Sequence, residues 1–144
     1  MKLKVLGCLV LICLCLSVVP SFSQAASSQI QWHSYNEGMA RGKFEKKRIF
    51  LHFYADWCAF CKEMEKKTFA DPAVIAALNN DFIPIRVNTD QDRETSVLFR
   101  VQGLPDTWFF AENGEIIGHR PGFISADELK EIIEVIKTQK DIQQ

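Results

Sequence analysis

Hydrophobic positions along the chain fall into blocks of different period, and each block predicts an element. Val5 to Val19 is almost wholly apolar, with Lys2 and Lys4 before it and Pro20 behind it. The stretch WHSYNEGMARGKFEKKR is polar with scattered apolar positions and predicts an amphipathic first helix, weakened by Gly38 and Gly42. Ile49 to Ala55, IFLHFYA, is nearly continuously apolar and rich in β formers, the pattern of a buried central strand. From Cys58 the residues become helix formers, and Asp71-Pro72 supplies an N-cap and a first-turn proline for a further helical stretch, PAVIAALNN. FIPIRVN predicts a second buried strand and RETSVLFRV a short helix. TWFFA and EIIGH flank Glu112-Asn113-Gly114 and predict a hairpin. Ser125 followed by Glu128 forms a capping box, after which Leu129, Ile132, Ile133 and Ile136 keep helical spacing. The order α, β, α, β, α, β, β, α predicts an α/β fold, a mixed central sheet with helices on both faces.

The leading apolar block changes the picture of where the protein works. A short basic start, an apolar run and the small residues of Ser23-Gln24-Ala25 together read as a secretory signal over residues 1–25. The run is too short to span a bilayer comfortably, and no charge behind it stops transfer; left uncleaved, it would tether the domain to the membrane. Val5-Leu6-Gly7-Cys8 imitates a lipoprotein cleavage box but precedes the apolar run, so lipidation is set aside. Cys8, Cys13 and Cys15 are then apolar residues of the signal. Residues 26–144 remain as one domain of 119 residues, enough for a real core. Lys2 and Lys4 leave with the signal, so the formal net charge of −1 becomes −3. No basic stripe suggests nucleic acid. An exported protein, expected in a bacterial periplasm, meets conditions in which disulfides persist.

Two cysteines remain, Cys58 and Cys61, directly after Trp57. Haem attachment by this motif requires His after the second cysteine, and Lys62 stands there. Structural zinc usually takes four ligands, and one CxxC with the separate His33, His52 and His119 is weak support for a metal. A permanent staple across so small a loop removes little chain entropy. Dithiol–disulfide exchange explains the placement better. Cys58 falls where a buried strand ends and a helix begins, so unpaired helix amides and the helix dipole favour its thiolate. Cys61 lies one turn inside, within reach of a mixed disulfide formed at Cys58. Cys58 is therefore expected to be the exposed nucleophile and Cys61 the buried resolving thiol.

Trp57-Cys58-Ala59-Phe60-Cys61-Lys62 after an apolar strand, with Gly103-Leu104-Pro105 before a later strand, resembles the thioredoxin superfamily. The longer run YADWCAFCKEMEKKTFADPAV, followed by GLP, FF and GFISADEL, is similar to the C-terminal thioredoxin-like domain of the thiol:disulfide interchange reductase DsbD, over roughly residues 45–137. The resemblance implies a thioredoxin fold, with Pro105 a cis proline beside the disulfide and Leu104 presenting backbone groups to a substrate strand. It implies a protein thiol–disulfide oxidoreductase that needs no cofactor. Its partners would be disulfide-containing or thiol proteins and a membrane-bound electron donor, and the domain is expected to be monomeric. Reduction is the implied direction; an oxidase or isomerase of folding proteins, or a non-catalytic binding module of the same fold, are the alternatives.

The chain departs from the family in places. Ala59-Phe60 replaces the Gly-Pro of typical thioredoxins, and Phe60 is either an exposed contact for a partner or tucked against its own domain. Trp57, Phe60, Leu104 and Pro105 are the expected apolar patch around the sulfurs. Asp106 follows Pro105, which is expected to add negative charge at the rim. His52 stands where the family carries a buried acid; it is either a satisfied core histidine or the acceptor of the proton that Cys61 must lose. Glu65 is the second candidate acceptor, four residues after Cys61 on one helix face; its alternative role is a solvated partner for Lys62 or a neighbouring lysine.

Overall fold

The computed structural model describes residues 27–142. The predicted signal, its cleavage site and Cys8, Cys13 and Cys15 lie outside the described residues. Among the described residues no helix is long and apolar enough to cross a membrane.

Among the described residues nine elements follow one another: α1 (Tyr35–Glu45), β1 (Arg48–Tyr54), α2 (Ala59–Lys67), α3 (Pro72–Asp81), β2 (Phe82–Asn88), α4 (Arg93–Leu98), β3 (Asp106–Phe110), β4 (Ile116–Pro121) and α5 (Ala126–Ile142). The helical stretch between the first two strands is thus two helices. They break where Asp71 caps α3, its carboxylate accepting from the amides of Ala73 and Val74 at 2.9 and 3.0 Å. The sheet runs β2-β1-β3-β4, with β1 parallel to β2 and antiparallel to β3, and β3 antiparallel to β4. This is the mixed sheet that the strand patterns predict.

The unbroken apolar run of β1 is explained by its place at the middle of the sheet, packed on both faces. Phe50, Phe82 and Phe109 face a layer built from α2, α3 and α5, with Met64, Leu78, Leu129 and Ile133 at its centre. Ile49, Leu51, Phe53, Ile83, Ile85 and Val87 face the other side, where Tyr35 and Met39 of α1 and Phe99 beyond α4 cover them. Ser125 caps α5 by accepting from the Glu128 amide at 3.2 Å. The return half of the predicted capping box is not made, because the Glu128 carboxylate accepts from Arg120 at 2.9 Å instead.

Gly38 and Gly42, read from the sequence as weak points of α1, are its contact surface. A Cβ on Gly38 would overlap Cγ1 and Cδ1 of Ile85, and one on Gly42 would stand 2.7 Å from Cδ1 of Ile49. Absence of side chains lets the helix backbone lie directly on the sheet. Gly38→Ala is therefore expected to destabilise the protein. Overpacking against the fully buried Ile85 costs about 1–3 kcal/mol and outweighs the gain in helix propensity of about 1 kcal/mol. Urea denaturation measures the balance, and a stabilised variant would show that Ile85 has room to move.

Pairing of Phe53 with Asp106 sets the start of β3 beside the end of β1. The loop before β3 consequently arrives at the turn that leaves β1, which is where the two cysteines lie.

Candidate active site

At the end of β1 the chain turns through Ala55 to Trp57, and the Cys58 amide donates back to the Ala55 carbonyl at 3.1 Å. Cys58 is the N-cap of α2, in extended conformation, and its Sγ accepts from the Cys61 amide at 3.1 Å. A cap sulfur in that position is stabilised by the amides and dipole of the helix start when it carries negative charge. Cys58 and Cys61 are joined as a disulfide. Both sulfur residues are buried, at 5% and 3% exposure. The expected contrast between an exposed Cys58 and a buried Cys61 is thus absent in the disulfide form. The sulfurs share one nest with Ala55, and Tyr54 and Leu104 pack against it.

The four residues expected around the sulfurs fall into two kinds. Trp57 and Phe60 stand out into solvent at 69% and 62% exposure, which settles Phe60 as an exposed side chain. Trp57 is held in place by its indole N–H, which donates to the Asp90 carboxylate at 2.9 Å. Leu104 is half-buried on the sulfur nest, and Pro105 behind it is buried, joined to Leu104 by a cis peptide bond. The Pro105 carbonyl accepts from the Gly122 amide at 2.7 Å, fixing the loop to the end of β4.

Asp106 does not charge the rim. It is buried, and its carboxylate accepts from the Trp108 indole at 3.1 Å and lies 3.2 Å from Nδ1 of His119, whose ring stacks on Trp108. One partner, Trp108, shares β3 with Asp106, and the other, His119, stands on the neighbouring β4. His119 was not apparent from the chain order, since it reaches Asp106 only through strand pairing.

A cleft of about 360 Å³ opens beside Cys61, walled by Tyr54, Asp56, Lys62, Glu65 and Arg86 among others. Glu65 does line it, but its partner is not a lysine of its own helix. Arg86 of β2 reaches across to it at 2.8 Å and stacks on the ring of Tyr54, with the guanidinium carbon 3.8 Å from the ring centre. Arg86 is the residue that sequence reasoning passed over. Its signal was a lone cation between the apolar residues Ile85 and Val87 of FIPIRVN.

His52 is not among the walls of that cleft. It is fully enclosed, its Nδ1 shares a hydrogen bond of 3.1 Å with Thr107 Oγ1, and its ring meets Phe69 edge-on at 4.9 Å. Burial first, and then the nearby Arg86 charge, push its pKa down to about 3. The imidazole is neutral at physiological pH, as expected from its burial, and it is also a much weaker base than an ordinary histidine.

A family model described as a thioredoxin-like domain matches residues 35–137. Among curated proteins, the chain is 35% identical over 128 residues to the thiol:disulfide interchange protein DsbD of Vibrio vulnificus (strain YJ016), a match covering 81% of this chain and 21% of that protein. It is 40% identical over 89 residues to DsbD of Haemophilus influenzae, covering 58% and 15% of the two chains. The chain thus spans only 21% and 15% of the length of these relatives. Among solved structures, a thioredoxin from Thermus thermophilus superposes with a TM-score of 0.68 at 23% identity, covering 75% of this chain and 87% of the other. A structure of the DsbH oxidoreductase superposes with a TM-score of 0.65 at 20% identity, covering 78% and 88%.

Proposed function

The chain belongs to the thioredoxin-like family, and from that premise we propose that it is an exported thiol–disulfide oxidoreductase that reduces protein disulfides through Cys58 and Cys61. The observation that carries the reading is a disulfide at the start of α2, its outer sulfur capping the helix and the Leu104–Pro105 loop lying against it. In the reducing cycle the Cys58 thiolate attacks a partner's disulfide, and a mixed disulfide forms as the partner's other sulfur leaves. Cys61 then attacks Cys58, closing the pair and releasing the partner reduced. The proton that Cys61 loses passes to a carboxylate of the adjoining cleft, which Asp56 and Glu65 line, Glu65 one turn beyond Cys61 on the same helix. We assign that role to Glu65 rather than His52, which faces Thr107 and does not line the cleft.

The similarity to DsbD supports the reducing direction and a membrane-bound donor that recharges the pair. Residues 1–25 act in this reading as the export signal for the 26–144 domain, delivering it to the periplasm. Equilibration with glutathione tests the direction. A potential near that of thioredoxin, about −270 mV, is expected, and one near about −120 mV would make the protein an oxidant instead.

Trp57, Phe60 and Leu104 form the docking rim for the partner segment, with Pro105 as its floor. Phe60→Ser is expected to slow exchange with a protein disulfide several-fold. Its rate with a small disulfide should be unchanged, and stability should move by no more than about 0.5 kcal/mol, because the ring is exposed. Equal rates for wild type and variant on the protein substrate would remove Phe60 from the rim.

A further inference from the structure

We propose that the turn joining α1 to β1 is a docking surface for an anionic phospholipid bilayer. The ring of Phe44 enters the interface, and the basic residues beside it meet the lipid phosphates. The inference goes beyond the oxidoreductase reading and takes from it only that an exported domain works beside a membrane.

Two features of this turn call for a partner. The first is Phe44, at 89% the most exposed large apolar residue among the described residues. Gly38 and Gly42 press α1 onto Ile85 and Ile49. Phe44 lies two positions past Gly42, about 200° around the helix, and so stands on the far side from the sheet. The second feature is charge. Arg41, Lys43, Lys46, Lys47 and Arg48 crowd one short stretch of a chain whose formal net charge is −1. Lys46 even occupies the left-handed position at the helix end, with a φ of 51°, where glycine is the usual residue. Attraction to the helix dipole accounts for a cation at this end, but not for five of them around an exposed ring.

Neighbouring acids do not neutralise the group. Glu45 holds Arg41 at 2.6 Å and is approached by Lys47 at 3.6 Å, while Lys43, Lys46 and Arg48 enter no ion pair among the described residues. The turn between β3 and β4 brings Glu112 and Glu115 to the same end of the sheet, and the basic residues still outnumber the three acids. Asp81, which leads into β2 beside Arg48, is held by Lys137 at 3.0 Å.

A bilayer surface matches both features at once. Cations alone would fit an acidic protein, but a protruding ring among cations gains most where phosphate and hydrocarbon lie side by side, as in a headgroup layer. A cleft of about 450 Å³ beside the turn repeats this pairing, since Lys43 and Lys47 line it together with the apolar Met39 and Ile49. The location fits as well. Cys58 follows the far end of β1, so seven residues of strand, about 20 Å, separate the turn from the sulfurs. A domain docked by this end holds its cysteine pair away from the lipid and open to a partner.

Lysine acetylation by an N-hydroxysuccinimide ester, read residue by residue by mass spectrometry of the full chain, reports which face a vesicle covers. Lys43 and Lys46 are expected to react at least about fivefold more slowly with phosphatidylglycerol vesicles than with phosphatidylcholine vesicles, the effect of about one cation at an anionic surface. Lys62 and Lys66, exposed on α2 beside the cysteines, should react alike in both. Val5 to Val19 is present in both arms, so the lipid contrast cancels any contribution of that apolar run. High salt should abolish the protection, and Phe44→Ser should remove most of it while leaving stability within about 0.5 kcal/mol, because the ring is exposed. Equal rates in the two lipids, equal protection of Lys62 and Lys66, or protection untouched by Phe44→Ser each overturn the proposal. Polyglutamate or inorganic phosphate protecting as well as phosphatidylglycerol overturns it too, making an acidic protein or a free anion the occupant. No thiol chemistry enters the measurement, so its failure leaves the oxidoreductase reading standing, and absence of exchange activity leaves this one standing.

Discussion

Cys58→Ser is expected to reduce disulfide exchange to the uncatalysed rate, while Cys61→Ser leaves the first attack intact and accumulates the partner as a mixed disulfide. The asymmetry follows from the helix start. Cys58 is the cap residue, and its sulfur accepts the amide N–H of Cys61. Cys61 sits inside the first turn, with its own amide already committed to its neighbour's sulfur. Negative charge at Cys58 is therefore stabilised by groups that are in place before reduction. Burial of Cys58 in the disulfide form does not remove this advantage, because the Leu104 loop and the exposed Trp57 and Phe60 border the nest that holds it. Non-reducing electrophoresis after incubation with an oxidised partner displays the trapped species. Alkylation of the reduced wild-type protein should reach Cys58 first; faster labelling of Cys61 would reverse the assignment.

Features governed by local order were legible in the sequence, and features governed by pairing between elements were not. Asp71-Pro72 marked the start of α3 because a cap acts on amides two and three residues away. Gly114 marked the hairpin because the turn places it at a φ of 85°, which other residues rarely adopt. The motif around Cys58 and Cys61 was legible for the same reason, since strand end, cap and resolving thiol lie within one short stretch. Gly38 and Gly42 were misread because propensity describes an isolated helix, whereas their value lies in the approach of Ile85 and Ile49 from two different strands. Asp106 and Glu65 were each given the wrong surroundings. Their partners, His119 and Arg86, come from other strands and are brought near only by the sheet. The site's electrostatics are thus a product of topology, and spacing along the chain says little about them.

The same dependence on topology makes His52 the residue whose replacement most changes the response to acid. Its folded pKa of about 3 lies far below the ordinary histidine value of 6.5. Below pH 6.5 the unfolded chain binds a proton at this position that the folded protein refuses. Stability contributed by the neutral ring is therefore complete above pH 6.5 and falls by about 1.4 kcal/mol for each pH unit until pH approaches the folded value. Over the whole window the loss is on the order of 4–5 kcal/mol, comparable with the entire stability of many small domains. His52→Gln removes the titration and keeps a polar group for Thr107, whose hydroxyl would otherwise be a buried group without a partner. Urea denaturation at intervals from pH 7 to pH 3.5 is expected to show a shallower decline in the variant, by close to the full single-proton slope below pH 6. The two curves should cross if the substitution costs stability at neutral pH. Parallel curves would mean that His52 titrates alike in both states and that the enclosed ring is hydrated. Stopped-flow exchange on the same variant separates this structural role from a catalytic one. With Glu65 receiving the proton, resolution of the Cys58 mixed disulfide should keep its wild-type rate from pH 5 to 9. A selective slowing of that step would return the acceptor's role to His52.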